Sequence, residues 1–202
     1  MNRVRGLYGI ADATAAKGDP ERLAAAFLAG GCRLLQLRCK DWSVDDILPV
    51  ARSVRARCAA VRATFIVNDH VDIALQVGAD GVHLGQLDQD TATARALLGP
   101  LRLIGRSTGD PDQIANAIPG ADYLAFGPIF ATENAGRPKP VRDLDALAVA
   151  RVIVPLDLPL VAIGGLTAAH LPQLRAMGVD AWAVIGAVAG ADDPVAATRA
   201  LC

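Results

Sequence analysis

Two aspartates that follow neighbouring apolar runs are the most chemically suggestive feature of the chain. Asp69 comes shortly after the run at 64–67, and Asp88 follows the run at 81–84 across a short loop. Carboxylates on adjacent loops suit Mg²⁺, which prefers oxygen ligands and keeps several of its waters. The alternative is that Asp69 caps a helix that begins near His70. The residues alone favour neither interpretation.

A pair of cations, Arg38 and Lys40, ends the apolar run at 33–37. Beside a magnesium ion, such a pair would stabilise the charge that develops on a departing pyrophosphate. The alternative, an ion pair with a neighbouring acid, is equally open from the residues.

Glycines follow the last two apolar runs, as Gly164-Gly165 and as Ile185-Gly186. Backbone N–H groups at these two places commonly hold phosphate in barrels, with a helix N-terminus behind them. The alternative is that these glycines serve tight turns. His83, within the run at 81–84, points either into the interior beneath the site or into the core as a fully hydrogen-bonded histidine.

The elements that must position these residues are eight short apolar runs that alternate with helical patterns. The runs cover residues 7–11, 33–37, 64–67, 81–84, 101–105, 123–127, 160–163 and 181–185. Asp19 and Ser43 are suited to cap the first two helices, and glycine turns before four of the runs suggest left-handed helix ends. Eight consecutive βα units predict a single (β/α)8 TIM barrel over residues 1–202, with a doubly wound open sheet as the alternative.

Composition narrows the class of protein. The chain has 202 residues, is 52% hydrophobic and carries a net charge of -1, so it has no global attraction for nucleic acid or an anionic membrane. The four cysteines have neither zinc-type spacing nor a disulfide framework, which indicates reduced thiols. With no signal peptide or spanning segment apparent, we expect a cytoplasmic enzyme that acts on small molecules. The oligomeric state is not predicted.

Six stretches along the chain resemble one known family. They are LLQLRCK (34–40), FIVNDHVDIALQVGADGVHLGQLD (65–88), GRST (105–108), ADYLAFGPIFAT (121–132), VAIGGL (161–166) and AVIGAV (183–188). In order and content these stretches are similar to the thiamine phosphate synthases, also called thiamine-phosphate pyrophosphorylases, and to their sister group, the thiazole tautomerases.

The resemblance implies a Mg²⁺-dependent transferase of thiamine biosynthesis with a (β/α)8 barrel. In that family hydroxymethylpyrimidine pyrophosphate loses pyrophosphate first, and the thiazole nitrogen of thiazole phosphate captures the resulting pyrimidine carbocation. The resemblance implies that Asp69 and Asp88 bind the metal, and that Arg38, Lys40 and Asn68 hold the pyrophosphate. It places Gln36 beside the pyrimidine, Ser107 near the reacting centre and Thr132 near the thiazole, with Asn134 as a further substrate-binding residue. Backbone groups of Gly165, Ile185 and Gly186 would take the thiazole phosphate. Arg38, Lys40, Asn68 and Ser107 are the expected catalytic residues.

The chain departs from the family pattern in the loop after the sixth run. Synthases usually have Thr-x-Thr-Lys where this chain reads Thr132-Glu133-Asn134-Ala135, so Arg137 or Lys139 is the expected substitute for the lysine. Gly186 also replaces a usual serine. Alternative functions are a tautomerase-like isomerase and a non-catalytic binder of thiamine precursors.

A further departure helps to separate these functions. Gly109 stands where a histidine commonly follows Ser-Thr, and in the tautomerase group a histidine of this loop is thought to move the proton. That group often lacks the first metal aspartate. The loss of the histidine, together with the retention of both Asp69 and Asp88, favours the synthase.

Overall fold

Eight parallel strands close into one ring in the computed structural model, which describes residues 3–132 and 140–202. The strands are β1 (Gly6–Asp12), β2 (Leu34–Arg38), β3 (Thr64–Asn68), β4 (Gly81–Leu84), β5 (Leu103–Thr108), β6 (Tyr123–Phe126), β7 (Leu160–Ile163) and β8 (Ala181–Val184). Each strand pairs with the next in sequence, and β8 pairs with β1. The closed ring confirms the (β/α)8 barrel and excludes the open sheet.

Helices surround the ring. They are α1 (Pro20–Ala29), α2 (Val44–Ala60), α3 (Val71–Gln76), α4 (Thr91–Leu98), α5 (Pro111–Ala117), α6 (Asp143–Ile153), a 3₁₀ turn (Ala168–His170) that leads into α7 (Leu171–Ala176), α8 (Gly186–Ala189) and α9 (Pro194–Leu201). The predicted caps are confirmed, because Asp19 accepts the Arg22 N–H at 3.0 Å and Ser43 accepts the Asp46 N–H at 3.2 Å.

Most strand boundaries lie within one residue of the prediction, and two differences are larger. The fifth strand lies two to three residues later than expected and includes Ser107 and Thr108, since both pair with β6. The last helical segment is two helices instead of one. Asp193 accepts two backbone N–H groups at the start of α9 and Pro194 occupies its first turn, so the chain begins a new helix there.

The core has two compartments. The larger one packs the outer face of the strands against the helices. The smaller one fills the barrel interior with Val4, Tyr8, Ile10, Leu34, Ile66, Tyr123, Ala125, Val161, Ala181 and Ala183. Most interior residues are aliphatic, so the two tyrosine hydroxyls there need hydrogen-bond partners of their own.

The glycine turns before the strands end as predicted in left-handed geometry, with φ of 64° at Gly78, 94° at Gly120 and 75° at Gly178. In the fourth turn it is Gly31, with φ of 107°, and not Gly30 that adopts this geometry. A glycine carries the left-handed conformation without the steric cost that a Cβ would add.

The aspartate after three of these turns ties one strand to its predecessor. Asp80 accepts the Phe65 N–H at 2.9 Å, Asp122 accepts the Ile104 N–H at 2.7 Å, and Asp180 accepts the Leu160 N–H at 2.9 Å. The chain thus uses one device three times around the ring to hold the beginnings of neighbouring strands together.

The four cysteines are free thiols, as predicted. Burial raises the pKa of Cys32 to about 11 and that of Cys39 to about 12, so both remain protonated at neutral pH. Among the described helices, none combines the length and apolar character needed to cross a bilayer.

The strand tether predicts a measurable cost for Asp122→Ala. The substitution leaves the N–H of the buried Ile104 without its acceptor and removes the ion-pair partner of Arg95. We expect a loss of roughly 2 kcal/mol in the free energy of unfolding, measured by urea titration with circular dichroism. Asp192→Ala, at an exposed loop position, is the control and should change stability little. Equal losses in the two variants would contradict the tether.

Candidate active site

Asp69 and Asp88 meet at the mouth of the barrel, where their side chains hydrogen-bond to each other. The Asp69 backbone N–H donates to the His83 carbonyl at 2.9 Å, and Asp88 Oδ2 accepts the Gly85 N–H at 2.6 Å. Asp69 has a left-handed φ of 63°, which is uncommon for a residue with a Cβ. His70 is the N-cap of α3 and no side chain accepts there, so the interpretation of Asp69 as a helix cap is wrong.

Each of the two carboxylates shifts the pKa of the other. Burial, the hydrogen bond to Asp88 and the negative charge of Asp88 raise the pKa of Asp69 to about 7. Burial acts in the same direction on Asp88, but hydrogen bonds from Asp69 and the Gly85 N–H, with the charges of Lys40 and Arg106, lower its pKa overall. Crowded carboxylates of this kind are relieved by a cation placed between them.

This donor set fits Mg²⁺. Two adjacent carboxylates supply hard oxygen ligands, and within the described part of the chain no cluster of three or more acidic, histidine or cysteine side chains offers a fuller site. An ion bound here would take its remaining ligands from water and substrate, which is the usual arrangement for Mg²⁺.

Arg38 is held in place by an acid that the sequence analysis did not single out. Its Nη1 donates to Asp12 Oδ2 across the register pair that ends β1 and β2. Asp12 is only 2% exposed, and its Oδ1 accepts the Ala15 N–H at 2.8 Å. The rim ion pair considered for Arg38 therefore exists, and it fixes the guanidinium at the mouth instead of hiding it.

Three cations surround the carboxylate pair. Arg38 and Lys40 lie close enough for their charges to oppose the rise in the pKa of Asp69, and Arg106 on β5 acts likewise on Asp88. Arg106 Nη1 also donates to the Gln89 carbonyl at 3.2 Å. Lys40 is exposed, so its side chain is free to swing towards a bound anion.

A row of polar side chains crosses the barrel interior beneath the mouth. Gln36 Nε2 donates to Tyr8 Oη at 2.7 Å, and Tyr8 Oη lies 2.7 Å from Tyr123 Oη. His83 Nδ1 is 3.1 Å from Tyr123 Oη, and its Nε2 is 2.9 Å from Ser107 Oγ. Both interpretations of His83 are therefore correct, since it is a hydrogen-bonded core histidine that points into the interior and reaches the site.

The remaining predicted residues lie on the opposite side of the rim. Gly164 and Gly165 have φ of 103° and 63°, and the loop after β6 packs on them so closely that a Cβ on Gly165 would lie 2.6 Å from the Ala131 carbonyl oxygen. This packing bears out the turn interpretation of these glycines.

On the same side, Ile185 precedes α8, and Gly186 is its first residue, so the Gly186 N–H has no acceptor within the helix. Thr132 ends the described part of the loop after β6 and is half-buried. Asn134, Arg137 and Lys139 lie outside the described residues.

Asn68 completes the set. It is the last residue of β3, is half-buried and pairs in register with His83 on β4. The structure thus brings the predicted metal and pyrophosphate residues together on the β2–β4 side of the mouth, with Gln36 and Ser107 joined through the interior row.

Comparison with known proteins identifies the family. The family model described as thiamine monophosphate synthase matches residues 7–188. The thiamine-phosphate synthase of Laribacter hongkongensis is 43% identical over 180 residues, 89% of this chain and 84% of that one. That of Methanoculleus marisnigri is 44% identical over 200 residues, covering 96% and 92%. The solved thiamine phosphate pyrophosphorylase of Pyrococcus furiosus superposes with a TM-score of 0.88 at 33% identity, covering 99% of this chain and 94% of that chain.

The chain belongs to the thiamine monophosphate synthase family. The matches confirm the resemblance seen in the sequence and the prediction of a thiamine-phosphate synthase, a transferase. The metal, the individual substrates and the residue roles stay predictions.

One departure from the pattern expected of thiamine phosphate synthases has a structural counterpart. Gly109 replaces the expected histidine, and a Cβ there would lie 3.0 Å from Nε and Nη2 of Arg142. The Arg142 Nε is buried and has no acceptor among the described residues. It borders a cavity of about 340 Å³ that is lined by residues of α5 and α6 and by none of the predicted site residues.

Asp12, Tyr8, Tyr123 and Arg106 are the residues that sequence reasoning missed. Asp12 carried a usable signal, because it ends a strand on the same rim as the other polar residues. The tyrosines carried a weaker one, since an aromatic residue inside a short apolar run is typical of ordinary core.

The Asp12–Arg38 ion pair gives a prediction for stability. Asp12→Asn keeps an acceptor for the Ala15 N–H but leaves the Arg38 guanidinium without a counter-charge in a mostly buried position. We expect the free energy of unfolding to fall by roughly 3 kcal/mol. Asp193→Asn is the matched control, because Asp193 accepts backbone N–H groups but has no ion pair among the described residues. An Asp12→Asn variant as stable as this control would show that the ion pair contributes nothing.

Proposed function

We propose that this chain is a Mg²⁺-dependent thiamine-phosphate synthase that joins hydroxymethylpyrimidine pyrophosphate to thiazole phosphate and releases pyrophosphate. The observation that carries the proposal is the pair of hydrogen-bonded carboxylates, Asp69 and Asp88, beside Arg38 and Lys40 at the mouth of a barrel of this family.

Binding of the pyrophosphate group falls to the β2–β3 side of the mouth. Arg38 donates one N–H to Asp12 and keeps its other donors for phosphate oxygens, while Lys40 supplies a mobile charge. The Asn68 side chain, at the end of β3, offers an uncharged donor. Mg²⁺ held by Asp69 and Asp88 would add Lewis-acid stabilisation of the same oxygens.

The reaction needs stabilisation of a leaving group more than a base. The bond between the pyrimidine methylene carbon and the pyrophosphate oxygen breaks, and its electron pair leaves with the pyrophosphate. The thiazole nitrogen then donates its lone pair to the methylene carbon. Because the nitrogen has no proton to lose, no general base is required, and the cations at the mouth act on the charge of the leaving oxygen.

The thiazole phosphate would bind on the opposite side of the rim. Gly165 makes a left-handed turn there, and Gly186 is the first residue of α8, so its N–H has no acceptor within the helix. Thr132, which follows the residues of the loop after β6 that pack on Gly165, would contact the thiazole ring. The two substrates would then face each other across the mouth, with Ser107 between them.

We propose small molecules as the partners of this site and the cytoplasm as its location. The net charge of -1 gives no overall attraction for nucleic acid, and four free thiols suit a reducing compartment.

The carboxylate pair predicts strict metal dependence. Thiamine phosphate should form from the two substrates with Mg²⁺ and not with EDTA, and Asp69→Asn or Asp88→Asn should lower kcat at least 100-fold without unfolding the protein. Asp90→Asn is the control, because Asp90 caps α4 two residues from Asp88. Conversion of a thiazole phosphate carboxylate without metal, in the absence of coupling, would identify a tautomerase instead. Tight binding without turnover would identify a binder.

The position of Lys40 predicts that removing its charge lowers activity without lowering stability. Lys40→Ala removes an exposed charge that packs against little, so stability should hardly change while kcat/KM for the pyrimidine pyrophosphate falls roughly 100-fold. Arg52→Ala, which removes an exposed cation from α2, should leave kcat/KM unchanged. Steady-state kinetics with saturating thiazole phosphate distinguish the two, and similar small effects would remove Lys40 from the proposal.

A further inference from the structure

The interior row of polar side chains has a defined direction. It runs from Gln36 through Tyr8, Tyr123 and His83 to Ser107, and each hydrogen bond in it measures between 2.7 and 3.1 Å. Burial raises the pKa of both tyrosines well above its usual value, so each hydroxyl keeps its single hydrogen. The question is which neighbour receives each hydrogen.

The hydrogen bond from Gln36 to Tyr8 determines the direction of the other hydrogen bonds in the row. Gln36 Nε2 donates to Tyr8 Oη, so the Tyr8 hydrogen must go elsewhere. Tyr8 is 1% exposed, and among the described residues Tyr123 Oη is the acceptor within its reach. If Tyr123 donated to Tyr8 instead, a buried hydroxyl hydrogen would be left unpaired, which costs roughly 1–3 kcal/mol.

The next hydrogen bond in the row joins Tyr123 to His83. Because Tyr123 accepts from Tyr8, its own hydrogen points to His83 Nδ1. A neutral imidazole that accepts at Nδ1 carries its hydrogen on Nε2. That hydrogen is donated to Ser107 Oγ, and the Ser107 hydrogen is therefore directed away from His83.

We propose that Tyr123 is a positioning residue that fixes His83 in the Nε2–H tautomer and thereby makes the Ser107 hydroxyl a hydrogen-bond donor towards the bound substrate. Tyr123 does not touch the substrate. It acts through His83, against which its ring stacks with centroids 5.5 Å apart.

This direction of the hydrogen bonds favours the reaction, an inference that rests on the proposed function. A donor at Ser107 can stabilise an oxygen on which negative charge accumulates, such as that of a departing pyrophosphate. If the hydrogen bonds ran in the opposite direction, the Ser107 hydroxyl would donate to His83 and present only lone pairs to the leaving group.

The space for Tyr123 comes from Gly105, its register partner on β5. A Cβ on Gly105 would lie 2.0 Å from Tyr123 Cζ and 2.4 Å from its Oη. A side chain at position 105 would therefore displace the tyrosine hydroxyl from the row, so that the glycine supports the same polarity.

The tautomer can be read directly, without turnover. In ¹⁵N-labelled wild-type protein, long-range ¹H–¹⁵N correlation spectra distinguish Nδ1–H from Nε2–H imidazoles, and the chain has only three histidines to assign. We expect neutral His83 with hydrogen on Nε2, assigned through the loss of its signals in His83→Asn. An Nδ1–H tautomer or a doubly protonated ring would overturn the proposal, whether or not the enzyme couples the two substrates.

Kinetics then test the link to Ser107. Tyr123→Phe should lower kcat roughly ten-fold, the effect of one hydrogen bond, with little change in KM and with a rise of the Nδ1–H tautomer. In a Ser107→Ala background the same substitution should lower kcat no further, because the terminal donor is already absent. Multiplicative losses would overturn the coupling.

A matched control separates polarity from packing. Thr198→Val also removes the hydroxyl of a buried residue, one that donates to the Pro194 carbonyl at 2.7 Å within α9. It should lower stability while leaving kcat and the His83 tautomer unchanged. If Tyr123→Phe fails to fold, the wild-type spectrum alone still decides the direction of the row.

Discussion

Closure of eight parallel strands into one ring is the constraint on which the site depends, because it brings the carboxyl ends of all strands to one rim. Residues far apart in sequence become neighbours only through the register of adjacent strands. Asp12 faces Arg38 across β1 and β2, and His83 reaches Ser107 across β4 and β5. A one-residue slip in any strand would turn its polar residue from the interior or rim to the opposite face.

The interior of such a narrow ring sets a second demand, since every polar group placed there must find a partner without water. Tyr8 and Tyr123 meet that demand through each other and through Gln36 and His83. The ring of Tyr123 fits because Gly105, which has no side chain, faces it. The same residues therefore solve a packing problem and impose a direction on the hydrogen bonds beneath the site.

The sequence predicted the features that depend on local patterns. The apolar runs, the caps Asp19 and Ser43 and the glycine turns are encoded within a few residues, and they sufficed for the barrel. Contacts that depend on the register between strands were harder to predict from the sequence. The partner of Arg38 lies 26 residues away on β1, and the shift of β5 became visible only through its pairing with β6. The left-handed conformation of Asp69, which turns its side chain towards Asp88, has no sequence signal stronger than that of a helix cap.

The charges at the mouth divide into fixed and free ones, and the division suggests how an anion would be received. Arg38 is paired with Asp12, and Arg106 donates to the Gln89 carbonyl, so both guanidinium groups have a protein partner without a ligand. Lys40 has no ion pair within 4 Å among the described residues, and it is exposed. A long, hydrated ammonium loses side-chain freedom only when an anion arrives, whereas a planar guanidinium already held by a carboxylate loses little. Under the proposed function, Arg38 would therefore set the orientation of the pyrophosphate, and Lys40 would supply the charge that responds to its presence.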